Sequence, residues 1–176
     1  SMESEQTKVV NADQLAHWRR SFLAKLHTKQ YTKARMVWVK LRQHERQSTR
    51  FCEEIFTVIA ASHGTHAKKN MSSNQIETKS LQQLFETWRY QVTTYGHGMT
   101  EKCYKTAIKE LSECDINAAI MFLSYMRQDK LTPDIVTNGY VLSKLANTGD
   151  TDKIIELHTL MESDGINGND YTYSMI

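Results

Sequence analysis

Apolar residues return at three- and four-residue steps through most of the chain, the spacing of one buried helix face. Leu15, Trp18, Phe22 and Leu26 make a first stripe. Ala34, Val37, Trp38 and Leu41 make a second, after a break near residues 28–31. Phe51, Ile55, Ile59 and Ala60 form a third, and Leu81, Leu84, Phe85 and Trp88 a fourth. Between the last two, residues 62–75 (SHGTHAKKNMSSNQ) are polar and aperiodic and predict a loop. Residues 1–12 show no apolar period and predict a disordered tail, with helix from Asp13 onward. Ser1-Met2 reads as the scar of a removed tag, which leaves any natural targeting segment outside this sequence.

Further along, start and stop signals mark the helices. Thr100, Asp115 and Asp150 each stand just before a helical run, where a side-chain oxygen accepts from the free N–H groups of the first turn. Gly149 stands where a helix must end in a left-handed residue. Pro133 follows another helix end, where its missing N–H does no harm.

Composition supports an all-α reading with no sheet. Of 176 residues, 40% are hydrophobic, one is proline and seven are glycine, so long helices run unbroken. Val, Ile and Thr do not fall into alternating runs. No stretch approaches the ~18–20 apolar residues of a membrane span, so no membrane partner is expected. Three cysteines, an odd count without a CxxC, argue against a disulfide framework and for a reducing compartment. All three are expected as buried free thiols.

Two segments of equal length then align without a gap. Residues 100–134 and 135–169 match at a period of 35: Lys109 with Lys144, Asp115 with Asp150, Ile120 with Ile155, Met126 with Met161, Asp129 with Asp164. About two identities would arise by chance at ordinary residue frequencies. Leu131 with Ile166, Asn117 with Asp152 and Asp134 with Asn169 add conservative pairs, and residues 170–176 begin a third copy. A tetratricopeptide repeat would have a 34-residue period.

These residues resemble the pentatricopeptide-repeat family. The copy at 135–169 keeps Val136-Thr137, Gly149-Asp150, Leu157, Met161 and Gly165-Ile166 of the family pattern. The copy before it keeps Ala119, Phe122, Met126 and Leu131-Thr132-Pro133-Asp134, and the partial copy keeps Thr172-Tyr173. Upstream, Leu84-Phe85-Glu86-Thr87-Trp88 and residues 34–41 resemble the second-helix run of the same repeat. Residues 13–99 are therefore read as two degenerate hairpins, and residues 100–176 as repeats 100–134, 135–169 and a partial 170–176. The resemblance implies a right-handed α-solenoid of helix-turn-helix repeats, about four hairpins plus a partial fifth. A sequence that stops early in a further helix is expected to belong to a longer parent. In such arrays one helix per repeat, expected to be the first, lines a concave face while the rest of the apolar surface is core. Phe22, Trp38, Phe85, Phe122, Met126 and Met161 are expected in that core.

The family commonly binds single-stranded RNA on the concave face, one base per repeat, in organelle RNA processing, stability or translation. The resemblance thus implies single-stranded RNA as partner and a mitochondrial location, with a cytoplasmic one as the alternative. In the family, the fifth and last residues of a repeat read the base and the second residue sandwiches it. Here the fifth and last are Tyr104 and Asp134, then Gly139 and Asn169, with Ser174 the fifth of the partial copy. The second residues are Glu101, Val136 and Tyr171. Of the fifth residues, Ser174 alone keeps the usual Asn, Thr or Ser.

Charge adds a second candidate. Residues 1–50 carry 11 Lys and Arg against 4 Asp and Glu, whereas residues 111–176 carry 4 against 10. Arg19, Arg20, Lys25, Lys33, Arg35, Lys40 and Arg42 form a candidate basic patch for phosphates, with Trp18 and Trp38 interleaved. The acidic C-terminal segment fits instead a protein partner or a second copy of the chain meeting the basic end. No Walker, HExxH or GxSxG motif occurs, and no nuclease-like α/β segment follows the repeats, so no enzyme activity and no cofactor are expected. His63 and His66 alone are too few ligands for zinc, and no metal site is expected.

Overall fold

The computed structural model describes residues 9–63 and 79–166. Among these residues the chain is all-helical, with eight helices: α1 (Ala12–His27), α2 (Tyr31–His44), α3 (Thr49–His63), α4 (Leu81–Tyr95), α5 (Glu101–Cys114), α6 (Ile116–Gln128), α7 (Ile135–Thr148) and α8 (Thr151–Ser163). None is long and apolar enough to cross a membrane. Short connections pair them as α1/α2, α5/α6 and α7/α8. The α3/α4 connection falls largely outside the described residues.

The helices begin and end where side chains can meet the orphan backbone groups. Asn11, Ser80, Thr100, Asp115, Asp134 and Asp150 each accept a hydrogen bond from a first-turn N–H. The caps expected at Thr100, Asp115 and Asp150 are present, and Gly149 closes α7 in the left-handed region at φ 69°. Two boundaries differ from the expected ones. Asn11 caps α1, so the helix takes up Ala12 from the expected tail. Helix α3 runs on through Ser62 and His63, because Ser62 is buried and returns its hydroxyl to the Ile59 carbonyl at 3.0 Å. The rest of the expected loop, and residues 167–176, lie outside the described residues.

The 35-residue period has a structural basis in helix ends. Helices α6 and α8 both close through a left-handed residue, Lys130 at φ 62° and Gly165 at φ 82°. In each, the next N–H reaches back across the turn: Leu131 to the Met126 carbonyl, Ile166 to the Met161 carbonyl, both 3.0 Å. Leu131 and Ile166 then pack against the core beside the buried methionines. The same device closes α1 at Lys29, φ 59°, although that segment carries no legible repeat.

Contacts between helices follow chain order. Each pair packs on itself, and the first helices pack on one another in sequence: α1 on α3, α3 on α5, α5 on α7. Phe22, Trp38, Phe51 and Trp88, one from each of the first four helices, meet with ring centroids 5.1–6.4 Å apart. Phe56 stacks on Phe85 at 5.5 Å, Phe85 meets Phe122, and Phe122 meets Tyr104. Burial of each such ring contributes roughly 1.5–3 kcal/mol. All six residues expected in the core are buried there. Cys52 and Cys103 are buried free thiols as expected, but Cys114 is exposed, because it sits at the last turn of α5 where the core face has already ended.

Candidate nucleic-acid interface

Tyr104 stands on the buried face of α5, with its ring fully enclosed. Its hydroxyl accepts from Arg89 Nε at 2.9 Å and donates to the Asp129 carboxylate. Burial pushes the phenol pKa up, the Asp129 hydrogen bond adds to the rise, and Arg89 opposes it. The side chain expected to read a base is instead a post between α4, α5 and α6. Arg89 completes the node by lying over the Tyr125 ring at 4.3 Å. Nothing in the sequence pointed to Arg89, whose partners lie 15 to 40 residues downstream.

Asp134 is the N-cap of α7 and accepts from the Thr137 N–H at 2.7 Å. Its other oxygen meets Lys105 Nζ at 3.3 Å. Partial burial works to raise its pKa, but the Thr137 and Lys105 contacts outweigh it and hold the carboxyl below its ordinary value. Two turns' worth of functions thus fall on one carboxylate: it starts a helix and ties α5 to α7. Val136 is about half exposed, and Gly139 opens to free space, since a Cβ there would meet nothing within 4 Å. Glu101 is exposed at the start of α5. Asn169, Tyr171 and Ser174 lie outside the described residues.

The outward face of the first helices is a mosaic of paired charges. Arg50 meets Glu54 at 3.5 Å within α3, and Lys102 reaches Glu53 at 4.0 Å between α5 and α3. Lys105 meets Asp134, and Lys144 meets Glu113 at 2.8 Å between α7 and α5. Lys109 is held near the Tyr140 ring, 6.0 Å from its centroid. An open groove of about 310 Å³ crosses this face, with Leu23 and Val58 at its floor and Arg50, Glu53 and Lys102 at its rim. It offers alternating charge rather than a phosphate cradle.

The seven residues of the expected basic patch divide. Arg19 is tied up in an ion pair with Glu45. Arg42 donates to Gln91 Oε1 at 3.2 Å and lies over the Tyr95 ring at 3.9 Å, so it braces α2 against α4. Lys25 donates to Ser21. Arg20, Lys33, Arg35 and Lys40 are exposed, and among the described residues they enter no ion pair. Three of these four sit on α2, which is a second helix, away from the face expected to bind. Trp38 is fully buried and donates its indole N–H to Gln91 Oε1 at 2.8 Å, and Trp18 is half-buried against His44. Neither indole offers the open face that stacking needs. His63 accepts or donates with the Tyr31 hydroxyl at 2.7 Å, and burial, aided by Lys29, lowers its pKa. His66 lies outside the described residues, among which no cluster of three metal-ligating side chains occurs.

No protein-family model matches the chain, and no curated protein sequence matches it significantly.

Proposed function

We propose that the chain is a degenerate pentatricopeptide-repeat α-solenoid, a right-handed, non-catalytic scaffold whose first helices face single-stranded RNA. One observation carries the reading: α1, α3, α5 and α7 pack on one another in chain order, the order a stacked hairpin array requires. The shared closure at Lys130 and Gly165 supports it. Bases would lie against the exposed Val136 and Gly139 surface of α7, with Asn169 contributing from the end of the same copy and Tyr171 and Ser174 from the next. Among the described residues Arg20, Lys25 and Lys109 are the cations of the first helices outside ion pairs, and the exposed Arg20 and Lys109 are the ones best placed to meet phosphate. The biological setting that goes with this reading is mitochondrial RNA processing, stability or translation. The test is selection from a random RNA pool, followed by binding at several salt concentrations. Enrichment of a common sequence, with affinity falling steeply in salt, supports the proposal. Failure to enrich anything above a heat-denatured control overturns it. Reversing Arg20 and Lys109 to Glu is expected to flatten the salt dependence.

A protein-binding scaffold is the second reading, and the paired-charge mosaic favours it. Lys102, Lys105 and Lys144 are already neutralised by Glu53, Asp134 and Glu113, which leaves little free charge for a polyanion. That reading expects a partner that stays bound after nuclease treatment, and loss of every partner on such treatment would count against it.

A further inference from the structure

The second helices of successive hairpins do not meet in one way along the chain. Helix α2 reaches α4 through Trp38 against Trp88, ring centroids 5.2 Å apart, and α4 reaches α6 through Phe85 against Phe122 at 6.3 Å. Helix α8 holds no Phe, Tyr or Trp, and of the second helices it buries the fewest side chains, Leu157 and Met161. It packs on α7, and α7 packs in turn on α5 and α6, but α8 has no comparable packing on α6.

Polar links span the gap from α6 to α8. Arg127, near the end of α6, gives Nε at 3.1 Å and a terminal nitrogen at 2.9 Å to one oxygen of Asp164, the residue that caps the C-terminus of α8. Near the other end, Lys153 Nζ donates to Asn117 Oδ1 at 2.9 Å. With side chains 20% and 16% exposed, Arg127 and Asp164 form the most buried ion pair among the described residues. The internal period gives this pair a counterpart. Asp129 is the equivalent of Asp164, and it takes Arg89 from α4 at 3.4 Å. There Tyr104 also donates to the carboxylate, and the Phe85 and Phe122 rings hold the same two helices together. Between α6 and α8 no ring contact backs the pair among the described residues.

We infer that α8 is a flap, hinged where it packs on α7 and fastened to α6 by the clasp of Arg127 on Asp164. With the clasp closed, Leu157 and Met161 are covered. With it open, α8 swings off α6 and these two side chains meet solvent, so the clasp gates a small apolar surface on the second-helix side. A partly buried carboxylate that loses its guanidinium keeps the cost of desolvation and loses what offsets it. Removing either charge therefore shifts the flap toward the open form. Opening leaves the aromatic hairpins folded, because segments with few buried contacts open at a lower free energy than the whole. The flap follows from the packing alone and does not depend on RNA binding.

The test is thiol labelling of the full chain under native conditions. Met161→Cys places a reporter at the covered surface, in a Cys114→Ser background that removes the exposed thiol. The buried Cys52 and Cys103, in α3 and α5, then serve as internal controls read separately by peptide mass. Asp164→Asn keeps the size of the cap residue and removes its charge. It is expected to speed labelling of the reporter about tenfold, the factor carried by one lost hydrogen bond to a charged group, and to leave Cys52 and Cys103 unchanged. Arg127→Lys keeps the charge and gives up the two-nitrogen grip, so its rate is expected to fall between. Reporter labelling should also depend little on low urea, because a local opening exposes little surface. A rate in Asp164→Asn equal to that of its parent would overturn the proposal. Labelling of all three thiols in step would overturn it equally, since the reporter would then register only global unfolding.

Discussion

Around Trp38, four aromatic rings from four helices close on one another, and a buried amide from Gln91 joins the indole to Arg42. Around Met161 there is no aromatic ring among the buried residues, and α7 and α8 meet through Val141, Leu142, Leu145 and Leu157. The first region is where the repeat is hardest to read, and the second is where it is plainest. Large rings interlock in shapes particular to their site, so they break the regular spacing that aliphatic side chains keep. The regular region is left with the thinner core. Degeneracy of sequence and solidity of packing thus run together along this chain.

The sharpest break in that comparison comes from truncating one residue in each region. Trp38→Ala removes a fully buried indole and leaves Gln91 short of a donor, and is expected to cost about 3–5 kcal/mol. Leu157→Ala, in α8, is expected to cost about 2 kcal/mol. The two should also differ in kind. Hydrogen exchange should show Leu157→Ala releasing α7 and α8 alone, while Trp38→Ala lowers protection through α1–α4. Equal loss of protection in α1–α4 from both variants would remove the distinction between the regions.

The second prediction concerns the junction. Gly96 lies where the connection after α4 meets the one after α2: Arg46 Nε donates to its carbonyl at 2.7 Å, and Gln47 forms an isolated parallel bridge with it. A Cβ there would stand 2.8 Å from both Cys52 Sγ and the Val92 carbonyl. Gly96→Ala is therefore expected to cost roughly 1–3 kcal/mol in urea unfolding. Adding Cys52→Ala should recover part of the loss and not all, because the carbonyl contact remains. Full recovery would show that the thiol alone sets the limit.

How much of this was legible beforehand depended on distance along the chain. The stripes at Phe22, Trp38, Phe85 and Met161 and the caps at Thr100, Asp115 and Asp150 are local patterns, and local physics produces them. The contacts of Arg89 and Gln91 are not local. Both are polar residues on helices, and their partners lie 15 to 53 residues away. The same limit governed the candidate site. Tyr104 and Asp134 occupy the positions that the resemblance picks out, but neighbouring helices have drawn the phenol into the core and the carboxylate into a cap. Repeat position alone carries no information about those neighbours.

Alkaline titration tests whether the two regions meet in a well-packed middle. Burial first, then the nearby Cys103 thiol, raises the Cys52 pKa from 9.0 to about 11. Tyr104 is raised in the same sense. A group whose pKa is raised by folding stabilises the fold below its unfolded value and loses that contribution as pH climbs through the folded value. Urea midpoints should accordingly hold steady up to about pH 9 and then fall, by roughly 1–2 kcal/mol near pH 11. Cys52→Ala should remove the earlier part of the fall, and Tyr104→Phe the later part. Thiol labelling at neutral pH should find Cys114 alone reacting fast, since it is exposed while Cys52 and Cys103 are not. A flat profile to pH 11 would show that water already reaches these groups.

The smallest effect is expected at Gly139, in the thin region. It lies inside α7 with open space around it and no left-handed backbone to require glycine. Gly139→Ala is expected to stabilise α7 by about 0.5–1 kcal/mol, because it lowers the entropy lost when the helix forms. The gain should appear as slower hydrogen exchange in α7 and α8 and nowhere in α1–α4. Gly139→Asn separates stability from recognition at the same position. It adds an amide where α7 has no side chain, and it should leave the core untouched. If α7 faces RNA, this substitution changes which RNA the chain selects from a pool, whereas Gly139→Ala changes only stability. If both variants select as wild type does, the α7 surface is not where bases lie, and the outward charge mosaic is left to a protein partner.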